Sequence, residues 1–328
     1  MDKSGLKPTK LRAGALDQQK RPRALPQRID WKMSLRKTLR KPQFWFGATI
    51  LLPTAIWYWV FSFQPILTAF WIASVRFKLL APASSPFVGL DNFRDLFANP
   101  LFMVAVSNTL YWAVLAFCLM LPISMIVSLC LANIARGRRI YQFIVFIPVV
   151  ISLVAISLLF RMLMDPDVGQ FNHLLNSFGI PSFGWLSDSA TALPTAVVIG
   201  VWKGIGFYVI VLTAGMLNIP TELQDAARVD GANEWQRFWK ITLPLLSHTL
   251  VLVTVLLLIG SLQEFTLPQL LRSSSSNQSL YMLNILIYEE AFQNLHFGIA
   301  TAAALLQFVF ILLISLLQIK LIRPKWSY

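Results

Sequence analysis

The 328-residue chain is 56% hydrophobic and only 13% charged, with a mean hydropathy of +0.62. A soluble chain of this length carries roughly twice that charged share, so the composition excludes a pair of ordinary soluble domains and calls for a lipid-facing surface. The net charge of +13 does not imply nucleic acid as a partner, because thirteen Lys and Arg against three Asp fall within residues 1–43, a stretch without the aromatic interleaving, zinc spacing or reading-helix pattern of nucleic-acid modules.

In chain order, residues 1–43 read as a basic tail lying near anionic lipid, with Trp31–Leu39 a short interfacial helix. The tail is long and basic and no small-residue cleavage site follows the first apolar run, so it is not expected to be a secretory signal. A bilayer core needs about 20 apolar residues per helix, and six segments of residues 44–328 reach that length. They are Phe44 to about Phe63, with a continuation past Pro65 to Val75; Phe102–Asn133; Tyr141–Leu163; Leu193–Leu217; Leu243–Phe265; and Phe297–Ile322. Leu280–Tyr288 is apolar but too short to span, and reads as an interfacial or re-entrant piece. The fold class is therefore all-α, a polytopic membrane protein with six transmembrane helices.

Lys and Arg favour the cytoplasmic side of a membrane. With the N-terminus inside, 22 of the 28 basic residues fall inside, so both termini are expected to be cytoplasmic. Cys118 and Cys130 share one apolar segment and read as small hydrophobes. His173, His248 and His296 are too scattered for a metal site.

Between the fourth and fifth spans, about residues 219–244, lies a stretch of mixed charge with large aromatics. Thr221 and Gln224 have the spacing of a capping box that opens one short helix. Asp225, Ala226 and Ala227 continue it, and Gly231 suits a left-handed terminator. Asn233 and Gln236 cap a second helix whose Trp235, Phe238 and Trp239 make an apolar face, and Pro244 marks entry to the fifth span. From the residues alone, this is either a docking surface or an interfacial loop whose aromatics rest on lipid.

The pattern Asp225-Ala226-Ala227-x-x-Asp230-Gly231-Ala232, with Phe238, Ile241, Leu243 and Pro244, resembles the EAA loop of binding-protein-dependent ABC importer permeases; Asp225 stands where that family has Glu. Phe87–Phe93, Asn108-Thr109, Trp185–Asp188, Trp202-Lys203-Gly204 and Phe297-Gly298 extend the resemblance to the carbohydrate type, and within it to MalF-like subunits. The resemblance implies a type I ABC importer permease fold in a bacterial or archaeal inner membrane. It also implies four kinds of partner: a MalG-like second permease, an ATP-binding subunit dimer docked on the loop, an extracytoplasmic solute-binding protein and membrane lipid. No nucleic acid is expected. The chain has no G-x-x-x-x-G-K-[ST] loop, so it is expected to bind no cofactor and to have no enzymatic activity; ATP and Mg would be bound by the partner ATPase.

Ionisable residues within spans carry functional weight. Lys203 and Phe207 lie at i, i+4 with Tyr208 adjacent, and Leu257, Ser261 and Glu264 recur along one stripe with Gln263 beside it. The resemblance implies that these two stretches form the pathway for a sugar, oligosaccharide or glycerol-phosphate. Lys203 and Glu264 pairing with each other or with the sister subunit, with the aromatics as packing, is the structural alternative. An importer of an amino acid or phosphate is the functional alternative. A membrane enzyme would need clustered His, Asp and Glu within spans, and an ion channel a filter segment; the sequence offers neither.

Overall fold

The structure, a computed structural model, describes residues 42–134, 136–272 and 278–321. The basic tail, with its expected interfacial helix Trp31–Leu39, therefore lies outside the described residues apart from its junction with the first helix. The described chain separates into two units, one up to Pro65 and one from Ile66 onward. In the first, α1 (Pro42–Tyr58) runs into a π-turn at Trp59–Phe63. Pro65 has no N–H to donate to the preceding turn, and a widened turn just before it absorbs the missing bond. The helix resumes as α2 (Gln64–Ala73), so the first span takes its longer form, Phe44–Ala73.

In the second unit, α3 (Asp91–Ala98) leads into α4 (Pro100–Asn133). Asn99 caps α4, its side chain accepting from Leu101 N–H at 2.9 Å, and Pro100 occupies a first-turn position where its missing N–H costs nothing. At the other end, the Arg138 guanidinium donates to Leu131 O at 2.9 Å and Ala132 O at 3.0 Å, carbonyls of the last helical turn, the first of which also accepts from Ile134 N–H.

The third expected span is not one helix. It is α5 (Arg138–Val150) and α6 (Leu153–Leu163), bent by 85°. Tyr141–Leu163 is apolar enough to read as continuous, but Ile151 and Ser152 are extended and turn the chain. Among the described residues, five helices are thus long and apolar enough to cross a membrane, and a sixth crossing is counted if the bent pair is one span.

Short α7 (Gln170–Ser177) precedes α8 (Ala192–Leu217). Glycines let α8 approach its neighbours: a Cβ on Gly206 would collide with the Val145 carbonyl of α5, and one on Gly200 would press on Trp112 of α4. Ser128 of α4 donates to Val209 O of α8 at 3.0 Å.

The loop helices α9 (Thr221–Val229) and α10 (Glu234–Arg237) follow, then a π-turn at Phe238–Thr242 and α11 (Leu243–Leu245). The fifth span consists of α12 (Ser247–Leu262) and α13 (Thr266–Leu271), with a non-helical break at residues 263–265. The short apolar piece Leu280–Tyr288 contains α14 (Leu283–Tyr288) and is buried, with Met282, Ile285 and Leu286 fully enclosed. It packs on α4 and on α15 (Phe297–Leu321).

Several residues of the family-like motifs are structural pins. Asn92 donates from one amide to Ala73 O (2.8 Å) and Val75 O (2.9 Å), and Gly298 leaves room for that amide against α15. Asn108 donates to Gln278 O and Tyr281 O, and the Thr109 hydroxyl accepts from Leu283 N–H, fastening this short piece to α4. Trp185 Nε1 donates to Asn172 Oδ1 at 2.9 Å.

Candidate functional site

The fifth span breaks where its sequence turns polar. Gln263, Glu264 and Phe265 leave the helical path, which frees carbonyls that lipid cannot satisfy. Two amides from other elements serve them. Gln307 of α15 donates to Leu262 O at 2.8 Å, and Asn284 of α14 reaches Glu264 O at 3.5 Å.

On one side of this break lies a cavity of about 240 Å³ between α4, α8, α12 and α13. Lys203, Tyr208, Ser261 and Glu264 supply its polar groups, and Trp112, Met120, Leu153 and Leu267 are among its apolar walls. Glu264 Oε1 accepts from Leu267 N–H at 3.3 Å, so its carboxylate closes the first turn of α13. Among the described residues no ion pair joins Lys203 to Glu264. Lys203 Nζ instead donates to Val149 O, at the end of α5, at 2.7 Å. The pairing of Lys203 with Glu264 weighed from the sequence is therefore absent here, although both line one cavity.

Three other sequence-predicted pathway residues lie elsewhere. Phe207 does not line this cavity; it is exposed on α8, its ring edge-on to Tyr208 at 5.3 Å. Leu257 is enclosed in the core. Gln263 lies across the break, lining a second cavity of about 250 Å³ with Asn284 and Gln307. Trp112 and Leu153 were missed: both are apolar, and only the packing of α4 and α6 brings them to the cavity.

The loop keeps most of its expected geometry. Gly231 has φ +80° and ends α9 with a Schellman pair, Gly231 N–H to Arg228 O at 3.1 Å and Ala232 N–H to Ala227 O at 2.9 Å. Asn233 and Gln236 form a reciprocal capping box at 2.8 and 3.0 Å. The box expected at Thr221 and Gln224 does not form: Pro220 takes the cap position, and Gln224 donates to the Thr242 hydroxyl at 3.1 Å, tying α9 to the π-turn. Asp225 pairs with Arg228 at 3.0 Å on an exposed face. Asp225, Ala226, Asp230 and Gly231 are exposed, while Ala227, Ala232, Phe238 and Pro244 are half-buried. Trp235 and Trp239 meet at 5.5 Å between ring centres and are 69% and 49% exposed, too much apolar surface to leave in water.

A third cluster sits between the fifth and sixth spans, outside both. Arg272 pairs with Glu289 at 2.7 Å, and the Tyr281 hydroxyl donates to the same carboxylate at 2.8 Å. Burial, then the bond to Glu289, pushes the Tyr281 phenol well above its ordinary range, so it stays a donor. Among the described residues no group of His, Cys, Asp and Glu is arranged to hold a metal ion.

A broken span beside a polar cavity, with an exposed two-helix loop before it, is the arrangement of a membrane transport subunit. The chain belongs to the family described as binding-protein-dependent transport system inner membrane component, whose profile matches residues 121–327. It is 28% identical over 291 residues to the trehalose/maltose transport system permease protein MalF of Thermococcus litoralis, covering 88% of this chain and 98% of that protein. With the multiple sugar-binding transport system permease protein MsmF of Streptococcus mutans it shares 29% identity over 294 residues, covering 88% and 98%. Among solved structures, it matches a chain of a bacterial ABC transporter involved in the import of the acidic polysaccharide alginate, with a TM-score of 0.77 and 28% identity over 90% of this chain and 99% of that one.

Proposed function

We propose that this chain is the membrane-spanning permease subunit of an ATP-driven importer for a sugar, oligosaccharide or glycerol-phosphate. In this reading it forms the translocation pathway with a second, MalG-like permease and takes its cargo from an extracytoplasmic solute-binding protein. The observation that carries the proposal is the polar cavity at the break of the fifth span. Lys203, Tyr208, Ser261 and Glu264 offer an ammonium, a phenol, a hydroxyl and a carboxylate to a polyhydroxylated solute, and Trp112 offers an apolar wall for a sugar face. Relatives that import saccharides support this cargo class over amino acids or phosphate.

The coupling surface is the loop of α9 and α10. Its exposed Asp225, Ala226, Asp230 and aromatic pair Trp235–Trp239 form the face an ATPase dimer would cover, and that dimer would hold the ATP and Mg. The same reading places the loop and both termini in the cytoplasm, with residues 1–43 as a basic arm and residues 44–328 as the permease domain.

The test is purification of the chain from its native membrane in mild detergent, under conditions where known transport complexes survive. Mass spectrometry is expected to find an ATP-binding subunit and a second six-span subunit bound to it. Recovery of the chain alone would overturn the importer assignment.

A further inference from the structure

In an uninterrupted α-helix Val149 O would accept the N–H of Leu153, four residues on. Here α5 ends at Val150, which leaves Val149 O in a last turn without intrahelical partners, and Lys203 Nζ takes the vacant place at 2.7 Å. A carbonyl oxygen can accept two bonds, but in the bent pair Val149 O has no helical donor, and the lysine supplies one. The lysine thereby favours the 85° elbow over one continuous helix.

The elbow is short enough to switch. Ile151 has φ −67° and ψ 141°, and Ser152 φ −55° and ψ 129°. Both φ angles already suit an α-helix, so straightening needs two ψ rotations. Its two arms are also carried by different cavity walls. α5 is pressed against α8 where Gly206 meets the Val145 carbonyl, and α8 carries Lys203. α6 packs on α13, whose first residue stands two after Glu264. Leu153, which opens α6, itself lines the cavity with Lys203 and Glu264.

We propose that Lys203 is a positioning residue that holds the α5–α6 elbow bent, and that its ammonium moves from the Val149 carbonyl to the Glu264 carboxylate when the transporter changes state. Among the described residues Glu264 is the single carboxylate lining the cavity, and an ammonium binds a carboxylate more strongly than a neutral carbonyl once water is excluded. Without the lysine the bend leaves Val149 O orphaned, a cost that is removed when the Leu153 N–H bonds to it and the bent pair becomes a straight span. One chemical exchange then sets two discrete backbone arrangements, as a two-state transporter element requires. The inference rests on reading the cavity as part of the pathway.

The test measures the elbow directly, in the chain purified with its partner subunits. Spin labels go on cysteines replacing the exposed Ile144 of α5 and Leu159 of α6, in a background carrying Cys118→Ser and Cys130→Ser. In the resting state, wild type and Lys203→Arg are expected to give one short separation, and Lys203→Met a longer one because the elbow straightens. Trapping with ATP and vanadate should lengthen the separation in wild type. Glu264→Gln should keep the short resting value and fail to lengthen. A Lys203→Met resting distance equal to wild type would overturn the latch, and normal lengthening in Glu264→Gln would overturn the transfer. Straightening in Lys203→Met without any nucleotide response in wild type would uphold the latch and sink the importer reading instead.

Discussion

The α9–α10 loop and the cavity are both built from polar groups next to apolar helices, yet their parts come from very different distances along the chain. Every bond that shapes the turn of the loop lies within five residues: Gly231 to Arg228, Ala232 to Ala227, Asn233 to Gln236. The cavity is held by bonds that cross the sequence. Lys203 reaches Val149, and Gln307 reaches Leu262. On the proposed function, the difference teaches that a docking surface can be specified locally and presented ready-made to a partner. A pathway through lipid instead has its broken backbone satisfied by helices remote in sequence, so its shape follows whatever moves those helices.

The largest effect should come from attacking the remote kind of contact. Gly206→Val places a side chain against the Val145 carbonyl, where α5 and α8 already touch. Overpacking of this kind costs about 1–3 kcal/mol, and backbone, unlike a side-chain tip, cannot swing aside. The purified chain is expected to unfold at a clearly lower temperature than wild type. A variant with unchanged thermal stability would show that this contact is not what sets α5 on α8, and the contrast with the loop would lose its main support.

Gly231→Val tests the local kind. Nothing lies within 4 Å of the position a Cβ would take, so the cost is not a collision but a β-branched residue held at φ +80°. Such backbone strain costs about 1–3 kcal/mol, confined to the end of α9. Membrane insertion should persist, and the strain should be relieved by local fraying at the end of α9, while association with the ATPase falls, read by co-purification. Undiminished association would remove the turn from the docking surface.

The two regions were also unequally legible in the sequence, for the same reason. The spans, the Gly231 terminator and the Asn233–Gln236 box are visible because apolar length and cap spacing act over a few residues. Lys203 and Glu264 were visible as ionisable groups in apolar runs, and the structure brings them to one cavity with Tyr208 and Ser261. What the sequence hid was long-range. The partner of Lys203 is a backbone carbonyl, which leaves no mark in residue types. Ile151-Ser152 carries neither Gly nor Pro, so the elbow looked like continuous helix; Pro148, one turn earlier, was the single hint. The Thr221–Gln224 box failed where a local rule met a remote competitor, the Thr242 hydroxyl eighteen residues on.

Asn233→Ala should give the smallest effect and sharpen the comparison most. The Asn233 side chain accepts from Gln236 N–H at 2.8 Å while the Gln236 side chain returns the bond at 3.0 Å. Removing a helix cap costs about 0.5–2 kcal/mol, and at this exposed site water replaces much of the lost bond, which favours the lower end. The loop should therefore fray without losing its turn, since Gly231 and its Schellman pair are untouched. The expected readout is partial uncoupling, in which ATP hydrolysis continues with less solute moved per ATP, and Asn233→Ser or Asn233→Asp restores the ratio because each can still cap. ATPase association reduced as far as in Gly231→Val would mean that Asn233 contacts the ATPase itself, and failure of both capping substitutes to rescue would favour that role over a purely local one.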